Sequence, residues 1–189
     1  MLRNKRGFTL IEVIVVAAII AILAGILVPM IFNQIDESRI ARAQGDMKAI
    51  ASAVMVFRKD TGAWPDRTAP NTVGVKLLYS DSTSVAVPPI PAVAGANWVT
   101  AAGTAQRIIN HLRVDDNGAY GTMWKGGYIN AADADPWGNA YIINADQFSA
   151  GGPVWIVSAG PDGIVQTGGL SDICSDKANG ADDICYRLK

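Results

Sequence analysis

FTLIEVIVVAAIIAILAGILVPMIF, residues 8–32, is a run of 25 residues with a single charge, Glu12. As a helix rising 1.5 Å per residue it reaches about 37 Å, more than the roughly 30 Å of a bilayer's hydrocarbon core. MLRNKRG precedes it, with Arg3, Lys5 and Arg6 and no acid, and the first acids after it are Asp36 and Glu37. The excess of cations in front predicts a cytoplasmic amino terminus and export of everything after residue 33. A standard signal peptide reads differently: no A-x-A pair closes this run, and 25 residues exceed a typical h-region.

Glu12 sets the run apart from a simple anchor. A carboxylate among apolar residues in lipid needs a partner, and the span contains no Lys, Arg or His. Cutting the chain after Gly7 would create one, because Phe8 would then carry a new α-amino group about one helical turn from Glu12. Between parallel helices, an axial stagger would bring one chain's amine to the next chain's carboxylate. Two readings stay open on these residues: side-by-side assembly through that pair, or an anchor holding a protonated Glu12.

KRGFTLIEVIVVAAIIAILAGILVP, residues 5–29, resembles the signal and amino-terminal helix of the type IV pilin and type II secretion pseudopilin superfamily. The matching elements are the basic leader, Gly7 before the cut, Phe8 as first mature residue, Glu12 four positions later and Pro29 as a kink. The resemblance implies cleavage between Gly7 and Phe8 by a prepilin peptidase that also methylates the new amine. It also implies an α+β, pilin-like fold, with a long amino-terminal helix packed on a small antiparallel sheet. The implied partners are other copies in a helical homopolymer, other pseudopilins or minor pilins, and an inner-membrane assembly platform with its ATPase.

Beyond the apolar run, Ile40, Ala43, Met47, Ile50, Val54 and Phe57 recur at intervals of three and four, which predicts a helix with one buried face. Gly62, followed by Pro65, predicts its end. Within it, Gly25 and Pro29 are the expected points of bending, since proline removes a backbone donor and glycine lowers helix propensity. The expected organisation is a leader (1–7), a transmembrane and assembly helix (8–32), its amphipathic continuation (33–61), a loop and short-helix region (62–134) and a hairpin with an acidic loop (135–189).

Composition removes several classes of function. With 50% hydrophobic and 17% charged residues the chain is not intrinsically disordered. Sixteen Lys+Arg against 17 Asp+Glu, with no basic run after residue 6, argue against a nucleic-acid partner. Loss of Arg3, Lys5 and Arg6 would leave 13 bases against the same 17 acids, about −4 for a cleaved chain. One His and two Cys cannot build a His/Cys zinc cluster, and no nucleophile elbow, P-loop or paired-histidine helix is present.

The middle is less informative. VPPIPAV (residues 87–93) and its Ser/Thr/Ala/Gly neighbours suggest an exposed loop, TAQRIINHL (104–112) a short amphipathic helix, and Asp115–Gly118 a turn. His111, beside the apolar face of that helix, reads as a packing or surface residue. In the last third, AYIIN (140–144) and PVWIVS (153–158) predict an antiparallel hairpin on the long helix. DPWGN (135–139) has tight-turn chemistry, with Trp137 available to the core. GGYINAADADPWGNAYIIN (126–144) is similar to the stretch that opens the sheet in the G-type, or major, pseudopilin.

After the hairpin, five Asp (162, 172, 176, 182 and 183) and one Lys lie between Ser158 and Asp183. Such a cluster is either solvated or neutralised by a hard cation, and both readings are open on composition. SAGPDG followed by ADDI resembles the calcium loop of the G-type pseudopilin. That resemblance implies a structural Ca2+ held by Ser158, Asp162, Asp182 and Asp183, with Asp172 as an alternative ligand. Cys174 and Cys185 flank ten residues in this exported loop, and an oxidising periplasm favours an intramolecular bridge between them over free thiols or intermolecular bonds. The expectation is a structural, non-enzymatic filament subunit with an inner-membrane span and a periplasmic head. Within the superfamily it is a secretion pseudopilin; the alternatives are a type IV pilus subunit and a membrane-anchored binding module.

Overall fold

The computed structural model describes residues 7–81, 92–93, 98, 105–116, 118–170, 174 and 182–189. Arg3, Lys5 and Arg6 of the leader, most of residues 87–93, and Asp172 lie outside them. The chain divides into two units, Met1–Arg39 and Ile40–Lys189, and helix α1 (Leu10–Thr61, 52 residues) runs through both.

In the first unit all described residues are exposed, including the apolar side chains from Phe8 to Phe32. Helix α1 continues through both Gly25 and Pro29. This stretch is long and apolar enough to cross a membrane.

In the second unit the three-and-four spacing does what it predicts. Ala43, Met47, Ile50, Val54 and Phe57 are buried and Ile40 is partly covered. The helix stops at Gly62, whose φ of +67° lets its N–H reach the Arg58 carbonyl at 2.8 Å. A left-handed residue at this position is the common way to satisfy a last-turn carbonyl.

Strands follow: β1 (Arg67–Ala69) and β2 (Thr72–Val73) form a separate hairpin, then β3 (Leu77–Tyr79), β4 (Ala92–Val93) and β5 (Ala105–Arg107). Helix α2 (Ile109–Leu112), β6 (Ile142–Ile143), α3 (Asp146–Ala150), β7 (Trp155–Ser158), β8 (Ile164–Val165) and β9 (Ile184–Arg187) complete the order. The main sheet runs β5-β3-β6-β7-β9. The predicted hairpin is β6 and β7, antiparallel with Ile143 opposite Ile156.

Three expectations change. The sheet is mostly, not wholly, antiparallel, because β3 and β5 pair in parallel; parallel neighbours need a long crossover, which the chain between residues 79 and 105 supplies. Residues 62–134 are more than loop and short helix, since they contribute β3, a central strand with Leu77 and Leu78 fully buried. Residues 105–107 of the predicted short helix are strand β5, and the helix is confined to Ile109–Leu112.

The sheet is buried on both faces, and strand alternation shows how. Leu78, Ile143, Val154, Ile156, Ile184 and Tyr186 point to the core built on α1. Leu77, Ile142, Trp155, Val157 and Cys185 point to a second cluster joined by Trp98, Ala105 and Cys174. Unbroken apolar runs such as VWIV suit a strand covered on both sides. The DPWGN turn forms as predicted: Gly138 N–H bonds the Asp135 carbonyl at 3.0 Å, and Trp137 packs against the α1 core.

Candidate functional site

Two places hold the residues singled out by the sequence. At the start of α1, Gly7 lies in coil with open space around it and Phe8 is 89% exposed, so the 7–8 peptide bond is accessible. Glu12 has a local partner that charge counting missed. Its Oε2 accepts from the Thr9 backbone N–H at 2.8 Å and from the Thr9 hydroxyl at 2.7 Å, and the Glu12 N–H faces Thr9 Oγ1 at 3.4 Å. This is a reciprocal helix cap, and the Thr-x-x-Glu spacing is its sequence signature. The cap uses one carboxylate oxygen.

The second place is the loop after β7. Ser158 turns its hydroxyl to buried Asp135, donating to Oδ2 at 2.6 Å. Asp135 Oδ1 accepts from the backbone N–H groups of Trp137 at 3.0 Å and Asn139 at 2.8 Å, so Ser158 ties the sheet to the DPWGN turn. Its hydroxyl thus has a structural role, and its oxygen also accepts from the Gly160 N–H at 3.3 Å. Burial pushes the Asp135 carboxyl above its ordinary range, against the pull of these donors.

Asp162 and Asp182 do meet: the Asp162 N–H donates to Asp182 Oδ2 at 3.1 Å. Both Asp162 oxygens are engaged, Oδ1 by the Ile164 N–H at 2.7 Å and Oδ2 by the Gln166 amide at 2.5 Å. Asp183 is buried, and its Oδ2 accepts from the Gln166 N–H at 3.0 Å and the Thr167 N–H at 2.5 Å. Burial raises its pKa and the neighbouring Asp182 adds to the rise, against these donors. Asp183 Oδ1 is buried with no hydrogen-bond partner, the kind of orphaned acceptor that a cation or water satisfies. Gly160, at φ +64°, lies where a Cβ would run into the Asp182 carbonyl, so the two halves of the loop touch backbone to backbone. Among the described residues no three His, Cys, Asp or Glu side chains converge as a ready metal cage.

The bridge forms as predicted: Cys174 and Cys185 are disulfide-bonded, with Cα atoms 6.0 Å apart. His111 is buried, with Nδ1 2.9 Å from Tyr120 Oη and Nε2 unpartnered. It is a packing residue.

Comparison with known proteins bears on the family of the chain. Residues 2–28 match the prokaryotic N-terminal methylation motif and residues 101–176 match type II secretion system protein G. The type II secretion system core protein G of Pseudomonas aeruginosa is 31% identical over 161 residues, 85% of this chain and 87% of the relative. That of Escherichia coli K12 is 29% identical over 165 residues (87% of each chain), and that of Vibrio cholerae 26% over 170 residues (89% and 87%). No solved structure gives a significant match. With its methylation motif, its exposed apolar helix and its sheet closed on α1, the chain belongs to the type II secretion system core protein G family, the family of the major pseudopilin.

Proposed function

We propose that this chain is the subunit that polymerises into the periplasmic pseudopilus of a type II secretion system, after cleavage at Gly7–Phe8 and methylation of the Phe8 amine by prepilin peptidase. The observation that carries the reading is the exposure of the apolar side chains from Phe8 to Phe32, most of them on α1. Lipid covers that surface in the monomer and sister helices cover it in a filament. Glu12 keeps one carboxylate oxygen outside the Thr9 cap, and that oxygen is the acceptor for a sister chain's Phe8 amine. The leader cations place the amino terminus in the cytoplasm and the head in the periplasm. The partners are copies of this chain, the other pseudopilins, and the inner-membrane platform with its ATPase. The role is structural, with no catalysis of its own. The comparisons lend nothing to a type IV pilus or binding-module reading.

The test is Glu12→Ala in the full chain, with mass spectrometry of the mature amino terminus. Normal processing and membrane insertion with loss of filaments is the expected result; full filament yield refutes the charge pair. Material that still begins at Met1 refutes the maturation.

A structural Ca2+ belongs to the same reading. Its side-chain ligands would be Ser158, Asp162, Asp182 and Asp183, with Asp172 as an alternative carboxylate and backbone carbonyls and water completing six to eight oxygens; Asp183 Oδ1 is the acceptor that has no other partner. Bound there, the ion neutralises the acidic loop. Calorimetry on the full chain in detergent should show heat with Ca2+ and a higher Tm, both lost in Asp183→Asn. No heat and no shift would remove the ion from the account.

A further inference from the structure

We propose that Gln166, a residue outside the ligand set implied by the family pattern, gives its side-chain carbonyl oxygen to the cation of the acidic loop. The inference rests on the Ca2+ reading above and adds a neutral ligand to it.

Gln166 follows directly on β8 and is joined to both halves of the loop. Its backbone N–H donates to Asp183 Oδ2 at 3.0 Å, and its side-chain Nε2 donates to Asp162 Oδ2 at 2.5 Å. The chemistry of Asp162 fixes which way the amide faces. An ionised carboxylate accepts and does not donate, so the NH2 end must meet it and the oxygen must turn away. That oxygen, Gln166 Oε1, is buried with no hydrogen-bond partner. Asp183 Oδ1 is in the same condition, on a side chain only 4% exposed. Two residues tied by a hydrogen bond therefore each strand a buried acceptor.

A buried acceptor without a donor is costly, and the chain around these two is poor in donors. SAGPDGIVQTGGL, residues 158–170, contains no Lys, Arg or His. The backbone N–H groups of Asp162, Ile164, Gln166 and Thr167 are already given to the carboxylates of Asp162, Asp182 and Asp183. A hard cation serves several oxygen acceptors at once, and amide carbonyls are among the ligands Ca2+ takes. An amide oxygen among carboxylates suits such an ion and not the metals that favour thiolate or imidazole. Because Gln166 is neutral, it fills a coordination position without adding to the repulsion among Asp162, Asp182 and Asp183. The Nε2 bond to Asp162 orients the carbonyl, so one planar group both steadies a ligand and acts as one.

Eu3+ in place of Ca2+, one equivalent on the full chain in detergent, tests the ligand directly, because its luminescence lifetimes in H2O and D2O count the waters on the ion. Gln166→Leu keeps the volume and loses both ends of the amide. It should weaken Ca2+, measured by displacement of Eu3+, by roughly 10-fold and admit one more water to the ion. A weaker site with the wild-type water count would make Gln166 a brace on Asp162 alone and overturn the ligand role; so would unchanged affinity. Gln166→Glu returns an oxygen to the position, and keeps the test standing should the leucine variant fail to fold. It should bind Ca2+ more tightly than Gln166→Leu and carry no extra water relative to wild type, and an extra water there overturns the proposal. Wild type that binds neither Eu3+ nor Ca2+ overturns the Ca2+ reading itself and the ligand role with it, an outcome distinct from the others.

Discussion

Lowering the pH from 7.5 to 4.5 should destabilise the head through His111. Its Nδ1 lies 2.9 Å from Tyr120 Oη, which accepts from the Arg67 N–H at 3.4 Å and donates to the Trp64 carbonyl at 3.3 Å. That pattern places the imidazole proton on Nδ1 and leaves Nε2 bare and buried. Protonation must then put a charged donor where nothing accepts it. Desolvation pushes the His111 pKa from 6.5 down to about 4, with Asp115 and Asp116 pulling the other way. The native pKa is depressed, so between these values the unfolded chain binds the extra proton. Stability is complete above pH 6.5 and falls as pH drops toward 4. At 1.36 kcal/mol per pKa unit, the full loss is about 3 kcal/mol. For a head of this size that lowers Tm by roughly 6–12 °C.

The assay is thermal unfolding of the full chain in detergent, followed by tryptophan fluorescence across that pH range, for wild type and His111→Asn. The asparagine amide keeps a donor where Nδ1 stands and cannot titrate. The variant starts lower, having lost volume beside Tyr120, and its Tm should change less between pH 7 and 5. Buried Asp66, Asp135 and Asp183 have native pKa values raised by burial, so each adds relative stability as pH falls. Their contribution is common to both proteins, and the difference between the two curves isolates His111. Parallel curves would refute the reasoning.

Asp135→Ala strands the Trp137 and Asn139 amides and the Ser158 hydroxyl and should cost about 2–4 kcal/mol, read as a lower denaturant midpoint; a loss under about 0.5 kcal/mol contradicts the buttress role. Gly160→Ala meets both a left-handed φ of +64° and the Asp182 carbonyl. It should lose about 2–4 kcal/mol by the same measurement, and an unchanged midpoint would mean the loop halves do not touch. Thr9→Val removes the hydroxyl that caps Glu12 while leaving the backbone donor. Filament yield should fall by less than in Glu12→Ala, and an equal loss would make Thr9 part of the subunit contact itself.

The long helix was legible because its two periodic signals are local. An uninterrupted apolar run and a three-and-four seam both survive without knowledge of anything distant, and Gly62 announces its own turn. The β6–β7 hairpin was legible for the same reason. Strand β3 was not, since Leu77–Tyr79 is three residues long and its pairing with Ala105–Arg107 depends on a crossover that composition describes as loop. The Ser158–Asp135 bond joins residues 23 apart, and no spacing rule connects them. The Thr9 partner of Glu12 does not show in a count of formal charges, because both its donors are neutral, although Thr-x-x-Glu is a cap signature.

A neutral cap explains how a carboxylate can be tolerated in the bilayer before assembly and still promote it. Two donors from Thr9 converge on Glu12 Oε2, replacing part of the hydration the group gives up in lipid. The cap forms within one helical turn, so it exists in a lone chain and requires neither cleavage nor a neighbour. It has no positive charge to give, however, and both its bonds fall on the same oxygen. A cation approaching the other oxygen completes the shell without breaking the cap. In the proposed filament the Phe8 amine is that cation, and it appears only after the leader has gone. A precursor can therefore insert and wait, since its carboxylate is partly satisfied, while a mature chain gains by meeting another. The cap and the subunit contact use different oxygens of one side chain, so forming the second does not require undoing the first.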